Sequence, residues 1–101
     1  MDLARELDLP ELVAIALQAL GSARLAAGDA GSAAIALEES RALLQRGDDR
    51  HELGRTLALL ARAYQALPRD DARRGEVEPI RAQARAILEE LGAALDLRRL
   101  L

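Results

Sequence analysis

Residues 17–24, LQALGSAR, return at residues 57–64 as LALLARAY. In both copies two leucines stand three apart, Leu17 and Leu20 or Leu57 and Leu60. A small residue follows, Gly21 or Ala61, and a long side chain closes the segment, Arg24 or Tyr64. Spacings of three and four hold residues on one face of an α-helix. Further out, Ser40-Arg41-Ala42-Leu43-Leu44 matches Ala84-Arg85-Ala86-Ile87-Leu88. The extra residues of the second copy fall in the polar stretch from Pro68 to Glu78. A helix pair that recurs at a near-fixed period is the mark of a helical solenoid.

The punctuation agrees. A first helix is expected from about Pro10 to Ala27, with Leu12, Ala16, Leu17, Leu20 and Ala27 on one stripe. Pro10 suits a first turn, where a missing N–H costs nothing. Gly28-Asp29-Ala30-Gly31-Ser32 breaks the pattern with two glycines and two capping residues. A second helix then runs from about Ala30 or Ser32 to Arg46, with Ala33, Ala36, Leu37, Ser40, Leu43 and Leu44 turned inward. Gly47 is expected to end it in the left-handed conformation. Asp49-x-x-Glu52 has the form of a capping box for a third helix reaching about Leu67. Its inner face carries Leu53, Leu57, Leu60, Ala61, Tyr64 and Leu67. Pro68 to Glu78 reads as a loop. A fourth helix starts between Glu76 and Pro79 and ends at Leu91-Gly92, with Ile80, Ala84, Ile87, Leu88 and Leu91 on its stripe. A short fifth begins near Ala94. Two units follow, at about 10–47 and 49–92, with a partial third at 94–101, all in one small domain.

Composition narrows the class. Of the 101 residues 50% are hydrophobic, yet 1% are aromatic, Tyr64 alone. Such an Ala- and Leu-rich chain argues against a β-sheet, which draws on β-branched and aromatic side chains, and for helices. There is no cysteine and one histidine, which excludes disulfides, zinc–thiolate sites, thiol nucleophiles and multi-histidine metal centres. Net charge is −3, every basic residue is Arg, and the two signs are interspersed as on solvated helix faces. A nucleic-acid binder should carry a basic stripe; here only Arg73–Arg74 and Arg98–Arg99 cluster, each near acidic residues. No apolar run approaches the ~20 residues of a membrane span. The opening MDLARELD lacks the layout of a signal peptide, so the expectation is a cytoplasmic chain.

Leu17, Leu20 and Gly21, then Gly28-Asp29 with Ala33 and Leu37, and again Leu57, Leu60, Ala61 and Tyr64, resemble the tetratricopeptide-repeat pattern. Glu-Glu-Leu-Gly at 89–92 looks like the unit ends in the repeat arrays of large bacterial ATP-binding transcriptional regulators. The resemblance covers about residues 10–92. It departs from the pattern at Arg24, where Tyr is usual, and at Ala61 and Pro68-Arg69. It implies an all-α fold of antiparallel helical hairpins stacked as a right-handed superhelix. It also implies a concave groove lined by the first helix of each pair: Gln18, Ser22 and Leu25, then Arg55, Ala58, Arg62 and Gln65. Such a groove takes a protein or peptide, and Arg55 and Arg62 suit an acidic partner.

Catalytic readings are weak. His51 lies beside Asp48, Asp49 and Glu52, but neither a nucleophile nor a second histidine accompanies it. Adjacent carboxylates such as Glu38–Glu39 and Glu89–Glu90 point about 100° apart on a helix and cannot share a metal. Asp48–Asp49 and Asp70–Asp71 fall at turns and read as caps. Gly28–Ser32 lacks the Gly-Lys-Ser/Thr end of a phosphate loop. The expectation is no enzyme, no cofactor and no metal.

Leu3, Leu7 and Leu9 at one end, and Leu95, Leu97, Leu100 and Leu101 at the other, leave apolar ends that two hairpins do not cover. Each buried Leu contributes roughly 1.5–3 kcal/mol, against ordering entropy of about 1–2 kcal/mol per residue. Two units are therefore marginal, and at least three are normally wanted. Three readings follow: a scaffold segment of a longer regulator packing on partners or neighbouring domains, a self-associating helical dimer, and a helical appendage of an enzyme.

Overall fold

The computed structural model describes residues 9–100, with side chains described over 9–92. Four α-helices form it: α1 (Leu9–Ala26), α2 (Ala30–Gln45), α3 (Arg50–Gln65) and α4 (Val77–Leu100), with a 3₁₀ turn at Ala72–Glu76 before α4. Among the described residues there is no strand. The apolar ends at Leu3, Leu7 and Leu101, and the side chains of Leu95, Leu97 and Leu100, lie outside the described residues.

The α1–α2 turn is built by Gly28. Its φ of 83° is the only positive φ among the described residues. Glycine adopts that conformation without the Cβ clash other residues suffer. The Gly28 N–H donates to Leu25 O at 3.0 Å, and the Asp29 N–H to Arg24 O at 2.8 Å. These two bonds close the end of α1 in a Schellman motif. Asp29 then caps α2, its Oδ1 accepting from the Ser32 N–H at 3.1 Å. The left-handed cap expected at Gly47 is not formed. There α2 ends right-handed at Arg46, closed by the Gly47 N–H donating to Leu44 O at 3.2 Å.

Asp49 caps α3 as its sequence position suggests, accepting from the Glu52 N–H at 3.0 Å. The stretch read as a loop after Pro68 is partly ordered. Asp71 caps the 3₁₀ turn through the Arg73 N–H at 2.9 Å and also receives the Arg73 guanidinium at 3.0 and 2.9 Å. Arg74 donates to the carbonyls of Gln65 and Leu67, closing the end of α3. Gly92 does not end the fourth helix. α4 passes through it, so the expected fourth and fifth helices are one. A glycine inside a helix costs about 1 kcal/mol against alanine, and Ala93 and Ala94 directly after it are the best helix formers.

Contacts fix the register. Ala14 meets Ser40, Gly21 meets Leu37 and Arg24 meets Ser32, so α2 runs back along α1. Ser40 meets Thr56 and Glu38 meets Tyr64, so α3 runs back along α2. Gly54 meets Ile87 and Arg50 meets Glu90, so α4 runs back along α3. Each helix packs on the next in chain order. α1 also touches α3 but does not pair with α4, so the four do not close into a bundle.

The core is gathered between α2, α3 and α4, around Ala33, Leu37, Leu57, Leu60, Tyr64, Ile80 and Ile87. Of the inner stripes read for these three helices, most residues belong to it, Leu53 and Leu91 pack at its margin, Ala36, Ser40 and Leu44 are buried outside it, and Leu43 and Leu88 are only half-buried. α1 differs. Its buried residues are Ala14, Gln18 and Gly21. Of the stripe expected to face inward, Leu12, Ala16, Leu20 and Ala27 are exposed and Leu17 is half-buried. The close approach of α1 to α2 needs its small residues: a Cβ on Gly21 would lie 2.5 Å from Leu37 Cγ. Larger side chains are thereby turned away. α1 also corrects the reading that no apolar run nears a membrane span. Its 18 residues have a mean hydropathy of 1.2 and are long and apolar enough, by length and composition, to cross one.

The caps make acid stability testable. Asp49 titrates below the ordinary aspartate value of 3.8, first through a hydrogen bond with the Glu11 carboxyl of α1, then through the Glu52 N–H. Asp29 is lowered mainly by the Ser32 N–H, and Asp71 by Arg73, down to about 2. A lowered folded-state value contributes stability above the unfolded value that is lost as pH falls through the folded one. Thermal melts followed by circular dichroism should therefore hold level above about pH 5 and drop between about pH 4 and pH 2. Asp49→Asn keeps a capping acceptor but cannot titrate, and should make that acid limb shallower, with Asp29 and Asp71 still contributing. An unchanged limb would show that the Asp49 cap does not contribute.

Candidate functional site: the trough between α1 and α3

Because α1 and α3 touch only lightly, an open trough of about 780 Å³ runs between them. From α1 it is lined by Ile15, Gln18, Ala19, Ser22, Ala23 and Ala26. Glu52, Arg55, Ala58 and Leu59 line it from α3, and Leu88 from α4. Residues 15, 19, 22 and 26 are spaced four, three and four apart, one continuous face of α1. The lining is chiefly aliphatic, with Gln18, Ser22, Glu52 and Arg55 as its polar groups, the usual make-up of a binding cleft.

A buried polar pin sets the depth of the trough. Gln18 Nε2 donates to Thr56 Oγ1 at 2.9 Å and to Glu52 O at 3.3 Å. Thr56 Oγ1 shares a hydrogen bond with Ser40 Oγ at 3.2 Å, and Ser40 donates to Ala14 O at 2.8 Å. Gln18, Ser40 and Thr56 thus tie α1, α2 and α3 together, each satisfied as burial demands. Glu52 does not share that satisfaction. Its Oε2 is buried with no hydrogen-bond partner, while Oε1 lies 3.5 Å from Arg55 Nη1 and 3.8 Å from His51 Nδ1. An acceptor buried without a donor costs about 1–3 kcal/mol.

Of the expected groove residues, the structure brings Gln18, Ser22, Arg55 and Ala58 to the trough. Gln18 is committed to Thr56. Leu25 is half-buried against the core instead. Arg62 and Gln65 are exposed and do not line the trough, and Gln65 Oε1 accepts from Arg81 at 2.7 Å. Sequence reasoning missed Ile15, Ala19, Ala23, Ala26, Leu59, Leu88 and above all Glu52. The four-three-four spacing from Ile15 to Ala26 carried a signal, but the uninterrupted apolar character of α1 hid it among equivalent stripes.

The remaining polar residues act locally. His51 is exposed. Glu38 is held by Tyr64 and Arg73. Among the described residues no three His, Cys, Asp or Glu side chains gather as a metal site. No family model matches the chain, and neither curated proteins nor solved structures give a match.

Proposed function

We propose that this chain is a non-catalytic interaction module of tetratricopeptide type, its hairpins stacked as a right-handed superhelix, serving as a scaffold segment of a bacterial signalling or transcriptional regulator. The occupant of the α1–α3 trough is a protein or peptide segment with an aliphatic face and a hydrogen-bond donor. The supporting observation is the orphaned Glu52 Oε2 at the wall of a trough whose lining is mostly aliphatic. Oε2 is closed off in the free protein, so a donor reaches it only after the Glu52 side chain turns toward the trough, and doing so satisfies an acceptor that otherwise has no partner. The sequential packing of the helices and the small residues Gly21, Ala33, Ala36 and Ala61 at their crossings support the repeat reading. Arg55, beside Glu52, remains able to meet an acidic group at the trough rim.

Selection of short peptides from a random display library against the immobilised chain tests this. Selected sequences should combine aliphatic residues at helical or alternate spacing with one Arg or Lys. Ala19→Glu, at an exposed trough position, should weaken the selected peptide by about tenfold or more, near 1.4 kcal/mol, while leaving the melting temperature unchanged. Peptides indifferent to Ala19→Glu would place binding elsewhere and end this reading.

A further inference from the structure

We infer that the outer face of α1 is a twofold interface with a second copy of this chain. The face is laid out in heptad spacing. Leu9, Val13, Ala16, Leu20 and Ala23 stand four, three, four and three apart, the alternation that generates a coiled-coil seam. All five are exposed, Leu9 at 72%, Val13 at 48% and Leu20 at 40%. A helix apolar on every side is normally covered on every side, and among the described residues α1 is covered mainly by α2, with a light contact to α3. Its partner inside the chain shows what the face is for. Forty residues on, Val13, Ala16, Leu20 and Ala23 correspond to Leu53, Thr56, Leu60 and Ala63. In α3 the last three of these are fully buried, on the side that meets α2 through Thr56 and Ser40. The exposed stripe thus matches the face on which α3 receives a helix, and no described residue covers it.

Three observations choose a second copy as the helix received. First, residues 12–23 carry no charged side chain, so two such faces meet without like-charge repulsion. Second, large and small residues alternate along the stripe. An antiparallel pairing sets Ala16 against Leu20 of the second copy and Val13 against its Ala23, filling each alanine gap. Third, the exposed side of α4, over its described residues, interleaves the charges of Glu78, Arg85, Glu89 and Glu90, and Gln83, with Pro79, Ala82 and Ala86. Head-to-tail stacking of α1 on that side would desolvate charges, so like pairs with like. A like-with-like contact closes after two copies and cannot extend into a filament. The stripe with Leu12 presents on the order of 500 Å² per chain, or about 1,000 Å² for the pair, where specific interfaces begin. The stripe shares only Ala23 with the trough, whose Ile15, Ala19, Ser22 and Ala26 follow another line along the helix.

Sedimentation equilibrium of the whole chain between about 1 and 100 µM tests it. The mass should rise from 10.9 kDa toward twice that value and stop there. Leu9→Glu and Leu20→Glu should each weaken the dimer at least tenfold with helicity unchanged. Leu9 is so exposed that its variant keeps the fold in any case. Arg85→Glu, on α4, should leave the dimer intact. A monomer at every concentration, a dimer unaffected by both glutamates, or growth beyond the dimer would each overturn the proposal. So would transfer of the chain to phosphatidylcholine vesicles in place of self-association, which would make a bilayer the occupant of this face.

Discussion

Leu37→Ala is expected to cost about 3 kcal/mol, or roughly 15 °C in melting temperature for a domain this small. Leu37 is fully buried and belongs to the main core cluster. Its side chain is seated on Gly21 of α1, where an added Cβ would lie 2.5 Å from Cγ and 2.7 Å from Cδ2. That contact is the interlock between the first two helices. Gly21→Ala alone should therefore also destabilise: the overpacking costs about 1–3 kcal/mol, and the better helix propensity of alanine offsets about 1 kcal/mol of it. The two changes are coupled with opposite volumes. With Leu37 cut back, the methyl introduced by Gly21→Ala no longer meets a clash and fills part of the space left. The double variant should be more stable than the sum of the singles implies by about 1 kcal/mol or more. Denaturant midpoints of the four proteins decide it. Additive losses would mean that α1 is held by something other than this contact, and the open trough it defines would lose its basis.

The same contact explains what the sequence disclosed and what it hid. α2, α3 and α4 were legible because each alternates an apolar stripe with a charged face. The inner residues Leu37, Leu60, Tyr64, Ile80 and Ile87 could hardly face any other way. α1 has only Glu11 and Arg24 as charged residues within its bounds, so periodicity found stripes but could not rank them. The ranking was made by size. Ala14 and Gly21 allow close approach to α2, and Gln18 finds Thr56 as a partner, so the bulkier Leu12 and Leu20 were displaced outward. The trough position followed that rotation, which is why Ile15 and Ala19 line it and Leu25 does not. Glycines were misread for a related reason. Gly28 and Gly47 look alike in sequence, but only Gly28 closes a turn tight enough to need a positive φ. The orphaned carboxylate of Glu52 could not be read at all, since its residue type and spacing are those of an ordinary capping box.

Tyr64→Ala should cost about 3–5 kcal/mol, enough to remove most of the stability of a domain of this size. Tyr64 is 2% exposed and the single aromatic residue of the chain. Its ring stands in the core while Arg73 lies over it at 5.8 Å from the centroid, and its hydroxyl donates to Glu38 of α2. One side chain therefore ties α2, α3 and the 3₁₀ turn. Tyr64→Phe separates the two roles: the ring stays and the hydroxyl goes. Because Glu38 remains partly solvated and 3.6 Å from Arg73, that change should cost only about 1 kcal/mol. The titration gives an independent reading. Burial, and then the Glu38 carboxylate, raise the Tyr64 phenol well above its ordinary value of 10.0. The folded state thus favours the neutral phenol. Stability from this group is complete below the unfolded value and lost as pH rises above it toward the folded one. With no second tyrosine, phenolate absorbance reports this group alone. It should stay low through pH 10 and appear at higher pH together with the loss of helicity, in one cooperative step. Tyr64→Phe should keep its helicity to higher pH than its neutral-pH stability alone would suggest. A phenol that titrates freely near pH 10 in the intact fold would show that the Glu38 bond and the buried ring do not hold these three elements together.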